Sequence, residues 1–338
     1  MAKYSSTNVS VLVDGYVLTA ALTETITRAN EAITQQSNPF GVASEQHTPV
    51  GMVKGTLSVG GGIFDEAVDI LHAGVAGSGV GVSRIVCVCD QGQTKGQHFT
   101  GYQGAYSQKY EVIDTNGQLT KANVTYQVSG TVNAHAVILQ ESAAKTADWN
   151  TSAAPHDAAD DPLAEQHPIT GASVEAGATS IITCPDNHNL ASGNVIAIFG
   201  MAGGITPDIN DAGAGAWQYI GHTVTVINAT SFSIPVDVTN DGTGGYFVVV
   251  SQPTGGAGYL QVTAGATFTN FVGRIDHSVN ASTWATLVTF ADTTTDRDTA
   301  QRVATATATT QVRRYLAFYG DVTGAGSITV FAGFGRGQ

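Results

Sequence analysis

Apolar and polar positions along this chain alternate mostly with period two, the signature of half-buried strands. Val9, Val11 and Val13 alternate and run into Asp14-Gly15, a hairpin-type turn. A long polar strand is predicted from Glu24 to Gln36, closed by Asn38-Pro39-Phe40-Gly41. Arg84–Asp90 reads as a buried strand. Tyr102, Tyr106 and Tyr110 recur every four residues, but the glycines around them predict strand and turn. Asn116-Gly117 marks a hairpin turn. Val124, Tyr126 and Val128, then Val132, Ala134, Ala136 and Ile138 beyond Gly130, predict a long hairpin over 120–140. Near the end, FTNFVGRIDHSVNASTWATLVTFAD predicts two strands around Asn280-Ala281-Ser282, and AQRVATATATT another strand. RRYLAFYGDVTGAGSITVFAGFG predicts a hairpin with a loose turn at 320–327, with Ile328, Val330, Ala332 and Phe334 facing a core.

One stretch departs from this rhythm. From Val53 to Val59 the alternation is that of a strand, and Gly60-Gly61-Gly62 is expected to break it. Phe64, Ala67, Val68 and Leu71 then share one face of a short helix, about 64–73. Asp65 and Glu66 suit its start, His72 its last turn, and Gly74 its close. The expected fold is therefore mainly β with one short α-helix that a sheet must cover.

Composition agrees with a turn-rich β chain: 40 glycines and 12% charged residues among 338, with 42% apolar. No run of about 18 apolar residues is present to span a membrane. The opening MAKYSSTNVS lacks the apolar core of a secretory signal, so cytoplasmic synthesis is expected. Cys87 and Cys89 share one face of a strand, where they are poorly placed to bridge, and all three cysteines read as small buried hydrophobes.

Charge divides the chain. Residues 1–145 hold 8 basic and 11 acidic side chains, net −3. Residues 146–273 hold 11 acids and no Lys or Arg, net −11, and residues 274–338 hold 6 Arg and 5 acids, net +1. The three sum to the formal −13. Linker-like stretches at 142–168 and Gln252–Gly258 bracket the acidic block. Three units are expected: 1–158, an inserted acidic β domain at 159–253, and 254–338. No basic stripe with interleaved aromatics appears, so specific nucleic-acid binding is not expected.

Candidate chemistry is sparse, and no catalytic, cofactor-binding or metal residue is assigned. Gly60-Gly61-Gly62 lacks the lysine of a phosphate loop, and Asp65 and Glu66 would repel phosphate. His156, Asp157, Asp160, Asp161 and His167 match no calcium-loop spacing. Cys184 has no activating partner in sequence, and His188 and His222 read as structural. Asp276-His277-Ser278 are adjacent, so a strand points them to opposite faces. Trp284 reads as core.

The order of these elements is similar to a known family. VLVDGYVLTAAL, a polar strand ending in NPFG, and VKGTLSVGGGIFDEAVDIL resemble the N-terminal half of tail tube proteins of long-tailed bacteriophages. HSVNASTWATLVTF with RVATATATTQVRRYLAFYGDVTGAGSITVFAGFGR resembles the C-terminal portion of phage tube and related virion proteins. ITCPDNHNLASGNVIAIFGM with HTVTVINATSFSI resembles a small β domain inserted in phage tail proteins. That domain is related in pattern to the first catalytic-cysteine half-domain of ubiquitin-activating enzymes. The usual His-Gly-Leu and Gly-Asp-x-Val read here as His188-Asn189-Leu190 and Gly193-Asn194-Val195, and Asn189 fits where φ is positive.

The resemblance implies a tail-tube-like β sandwich or barrel and a non-enzymatic virion tail protein, assembled in the host cytoplasm. Copies would form rings of six, or of three with pseudo-six-fold symmetry, stacked into a tube that conducts DNA without binding it specifically. Tape-measure, tail terminator and tip or baseplate proteins are the implied partners. The polar strand supplies the assembly candidates Glu24, Thr25, Thr27, Arg28, Asn30, Glu31, Gln35 and Gln36. The insert would sit on the tube exterior. Two alternatives stand beside this: a glycan-binding tail or adhesin module using Trp217, Tyr219 or Tyr246, and a secreted β-rich hydrolase.

Overall fold

The computed structural model describes residues 9–18, 25–37, 46–63, 83–128, 132–151, 166–174, 179–203, 209–210, 221–279, 281–294 and 299–337. Among these the protein is mainly β, with no α-helix. The expected helix at 64–73 lies outside the described residues.

The first third contributes β1 (Ser10–Val13), β2 (Tyr16–Val17), β3 (Thr25–Ser37), β4 (Gln46–Ile63), β5 (Ser83–Cys89), β6 (His98–Ile113), β7 (Lys121–Val128), β8 (Val132–Lys145) and β9 (Trp149–Asn150). Asp14 and Gly15 take φ of +46° and +90°, so a two-residue primed turn joins β1 to β2 as their sequence predicts. β6 and β7 form the hairpin signalled by Asn116-Gly117, with Ile113 opposite Lys121. β7 alternates buried and half-buried residues along its whole length.

Three expectations are corrected here. β4 does not stop at the glycines: it runs through Gly60–Gly62 to Ile63, and the irregularity is a register shift against β7 between Val59 and Gly62. A bulge absorbs what was expected to be a break. The segment 120–140 is no hairpin either. β7 and β8 follow one another, antiparallel, along the same edge of β6, β7 on residues 105–113 and β8 on 98–102. Finally, the three tyrosines lie on one strand, but Gly104 (φ +68°) sits in a bulge opposite Ile85. The extra residue flips the alternation, so Tyr102 is buried and Tyr106 exposed.

The last third contributes, in the chain's numbering after the nine strands of the acidic block, β19 (Gly256–Ser278), β20 (Ala285–Thr289), β21 (Thr299–Ala304), β22 (Val312–Arg313) and β23 (Tyr315–Arg336). β19 and β20 pair around the expected turn. The hairpin expected at 320–327 does not form. β23 is one strand of 22 residues, paired along its length with β19. Bulges at 262–270 let this ribbon double back, so that Gly258 near its start faces Ile275, Val288 and Phe290. The expected core row Ile328, Val330, Ala332 and Phe334 is buried in that fold with Leu260, Phe271 and Phe318.

All these strands except β22 belong to one hydrogen-bonded, thirteen-stranded sheet that folds over itself. β5 is its middle layer. Val86 and Val88 face Leu57, Val124 and Tyr126 on one side. Cys87 and Cys89 face Phe99, Tyr259 and Phe331 on the other. A strand buried on both faces needs small apolar side chains, which is the role of these two cysteines.

The acidic block holds β10 (His167–Pro168), β11 (Gly171–Val174), β12 (Ser180–Thr183), β13 (Val195–Phe199), β14 (His222–Thr223), β15 (Thr225–Asn228), β16 (Ser231–Ile234), β17 (Gly242–Thr243) and β18 (Tyr246–Gln252). They form two five-stranded sheets around Ile182, Ile196, Phe232 and Phe247. One sheet is completed by β22, which pairs with the end of β18. Arg336 clamps the same seam, donating to the carbonyls of Val312, Arg313 and Arg314.

His277 lies under this seam, its Nδ1 accepting from Arg313 N at 3.3 Å. Burial, with Arg313 and Arg336 nearby, pushes its pKa down from 6.5 to about 4. The unfolded chain therefore binds a proton that the folded one refuses between those values, so stability falls as pH drops through that window. His277 is expected to cost on the order of 3 kcal/mol below pH 4 relative to pH 7. Urea unfolding as a function of pH checks this: His277→Asn, which keeps an acceptor for Arg313, should flatten that part of the slope.

Candidate assembly interface

β3 and β4 pair from Thr25 opposite Gly60 out to Ser37 opposite Gln46. β4 has a second partner, β7, only over residues 55–63. Beyond that point, among the described residues, the two strands pair only with each other. Residues 31–37 of β3 carry this ribbon on for about 23 Å at the usual rise per residue. Among the described residues the outer edge of β3 has no strand partner anywhere along its length, nor has the far half of β4. An isolated two-stranded ribbon is marginal in water, and its unpaired N–H and C=O groups are a template for further strands. The ribbon also has a register shift between Ala32 and Thr34 and carries Pro49 opposite Thr34. Proline is tolerated in strands at such irregular or edge positions.

The assembly candidates distribute over this element. Thr25 and Thr27 are exposed at its base. Arg28, itself exposed, is ion-paired with Asp90 and donates to Thr100 Oγ1 at 3.5 Å, tying the ribbon to the body. Asn30, Glu31, Gln35 and Gln36 stand opposite Gly55, Lys54, Thr48 and His47. Glu24 lies outside the described residues. The residues sequence reasoning missed are Gln46–Met52 of β4, where QHTPVGM offers no alternation and includes a proline.

The declined chemistry is placed as follows. Burial pushes the Cys184 thiol up to about 11, far from a nucleophile's range. His188 is buried, its Nε2 against the Asn228 carbonyl at 2.8 Å and its Nδ1 accepting from Leu190 N. Asn189 takes φ of +52°, the conformation its sequence position predicts. His222 Nε2 lies 3.1 Å from the Ile209 carbonyl, and burial lowers its pKa. His167 stacks on Phe247, while His156, Asp157, Asp160 and Asp161 lie outside the described residues. Asp276 binds Arg274 rather than His277. Trp284 is half-buried rather than enclosed in the core.

No protein-family model matches the chain, and no curated protein matches it. Among solved structures it is similar to a chain from the tail of an empty gene transfer agent particle with C6 symmetry, at 9% identity and TM-score 0.28, covering 40% of this chain and 98% of that one. A chain from the virion of a native gene transfer agent gives 11% identity, TM-score 0.28, and 39% and 97% coverage. The SPP1 Dit protein, a hub of the adsorption apparatus in phages infecting Gram-positive hosts, gives 10% identity and TM-score 0.27, covering 96% and 98%. TM-scores of this size carry no functional weight.

Proposed function

We propose that this chain is a structural, non-enzymatic tail protein that polymerises by continuing its sheet from copy to copy, in stacked rings that form a phage tail tube. The observation that carries the reading is the β3–β4 ribbon, whose outer edge has no strand partner among the described residues, set in the stretch whose sequence resembles tail tube proteins. In a ring, each ribbon would pair with the next, closing a shared inner barrel and removing every free edge. In this reading Thr25, Thr27, Asn30, Glu31, Gln35 and Gln36 lie on the assembly strand, and Arg28 fixes its base. DNA would pass without specific contact. Residues 159–253 would be the insert, carried outside; its freedom from Lys and Arg would keep tubes apart in solution. The tape-measure, terminator and tip partners follow from the resemblance alone. The adhesin alternative gains nothing in the insert: Trp217 and Tyr219 lie outside the described residues, and Tyr246 is stacked on Phe199.

Electron microscopy and sedimentation of the purified chain test this. Rings or tubes are expected. A shortened variant, with residues 32–53 replaced by Asn-Gly between the paired Glu31 and Lys54, should keep the circular dichroism and melting of the body yet stay monomeric. A parent chain that remains a dispersed monomer at every concentration, or a shortened variant that still forms rings, overturns the proposal.

A further inference from the structure

β9, β23 and β19 lie side by side, and their register sets out two rows of side chains on one face. Asn150, Tyr319 and Arg274 are in line across the three strands; Asp321 and Val272 follow in the next row, with Asp148 two residues before Asn150. The opposite face is core, where Trp149 packs over Gly320 and stacks on Phe271. Between the two rows lies a shallow cleft of about 280 Å³. That is near the lower end of ligand pockets, about 300–1,000 Å³, and suits one or two small rings.

The polar groups in this cleft are held but not used. Arg274 Nε donates to both oxygens of the buried Asp276 at 3.2 Å, and its guanidinium lies 4.2 Å from the Tyr319 ring centre. That leaves both Nη groups without a protein partner among the described residues. Asp148 spends one oxygen on Val322 N at 2.9 Å and keeps the other. The Asp321 carboxylate and the Tyr319 hydroxyl have no partner among the described residues.

We propose that this cleft is a binding site for a neutral saccharide. Fixed guanidinium donors stand beside free carboxylate acceptors. The two free carboxylates disfavour phosphates and acidic sugars, while the charge of Arg274 is already matched by Asp276. A vicinal diol donates and accepts from adjacent oxygens and satisfies both groups at once. The Tyr319 ring edge and Val272 supply apolar surface for the C–H face of a sugar ring. The site shares no strand with the β3–β4 ribbon, and the proposal stands whether or not the chain forms tubes.

The test is an array of immobilised neutral, acidic, phosphorylated and amino saccharides probed with the purified full chain. Retention on neutral saccharides is expected. In calorimetric titration with the best-retained one, Asp321→Ala, which removes an exposed carboxylate, should weaken binding about tenfold or more. Tyr319→Phe, which keeps the ring, should weaken it less. Circular dichroism should be unchanged in both. No retention on any neutral saccharide, retention only on charged ones, or equal affinity in Asp321→Ala overturns the proposal.

Discussion

Replacing Gly333 with valine is expected to destabilise the protein by about 3 kcal/mol or more, the upper end of the usual cost of overpacking. Gly333 lies in the part of β23 that is buried on both faces. A Cβ there would come 2.3 Å from Phe99 Cε1 and 2.7 Å from the Val137 carbonyl oxygen. Phe99 cannot move aside, because it meets Tyr259 and Phe331 edge to face at 5.6 and 5.3 Å, and all three are buried. The backbone carbonyl is equally fixed, since Gly333 and Ile138 are paired across β23 and β8. Equilibrium urea unfolding measures the loss. A midpoint within 1 kcal/mol of the parent, by the usual order of experimental resolution, would refute this packing. Combining the change with Phe99→Leu should recover part of the loss, as expected for residues in direct contact.

Asp14→Ala is expected to cost about 3–5 kcal/mol, the penalty for removing one partner of a buried ion pair. Asp14 does three jobs in one turn. It adopts a positive φ, its Oδ1 accepts from Ile85 N at 2.9 Å, and its Oδ2 accepts from Arg84 Nη1 at 3.0 Å. The Arg84 side chain is only 10% exposed, so losing this carboxylate takes an ion-pair partner from a nearly buried charge. The neighbouring Gly15 N donates to Gln261 Oε1, and Gln261 Nε2 donates to the Ile85 carbonyl, so the turn also docks β19 onto β5. Asp14→Asn, which tolerates the turn and can still accept from Ile85 N, should lose distinctly less. The pH dependence separates Asp14 from His277. Burial raises the Asp14 pKa, against the opposing pull of Ile85 N and Arg84. Folding therefore favours the protonated carboxyl, and stability falls as pH rises through the raised value because the burial cost of the charged form offsets part of the ion pair. An Asp14→Asn variant as stable as the parent at neutral pH would remove the ion pair from this account.

The local turn chemistry was legible. Asp14-Gly15, Asn116-Gly117 and Asn189 each sit where their side chains predict, because a positive φ is a property of one or two residues. Gly60–Gly62 and the glycines within 320–327, expected as breaks, lie inside long strands. At Gly101 and Gly333 the missing Cβ is replaced by a ring from another layer, Tyr259 and Phe99, and nothing adjacent in sequence announces it. The same holds for the ion pair of Arg28, whose partner is Asp90. Of the assembly element, the polar strand β3 could be read from its composition. The second half of the ribbon could not, since Gln46–Met52 shows no alternation in sequence and is defined by its pairing with β3. The saccharide cleft was invisible because Asn150, Arg274 and Tyr319 meet only through strand register.

The middle layer has a consequence in time. Phe99 leaves the ribosome some 230 residues before Gly333, which at about 5–20 residues per second is a delay on the order of 10–50 s. During that interval Cys87, Cys89 and Phe99 lack Tyr259 and Phe331, the rings that cover them in the finished protein. The acidic block between them pairs within itself except at β22, so most of its two sheets can form before the last strands arrive. Subunits would thus become competent for assembly only once the late strands arrive, and a nascent chain with its ribbon made but its body unfinished is the species most exposed to premature pairing.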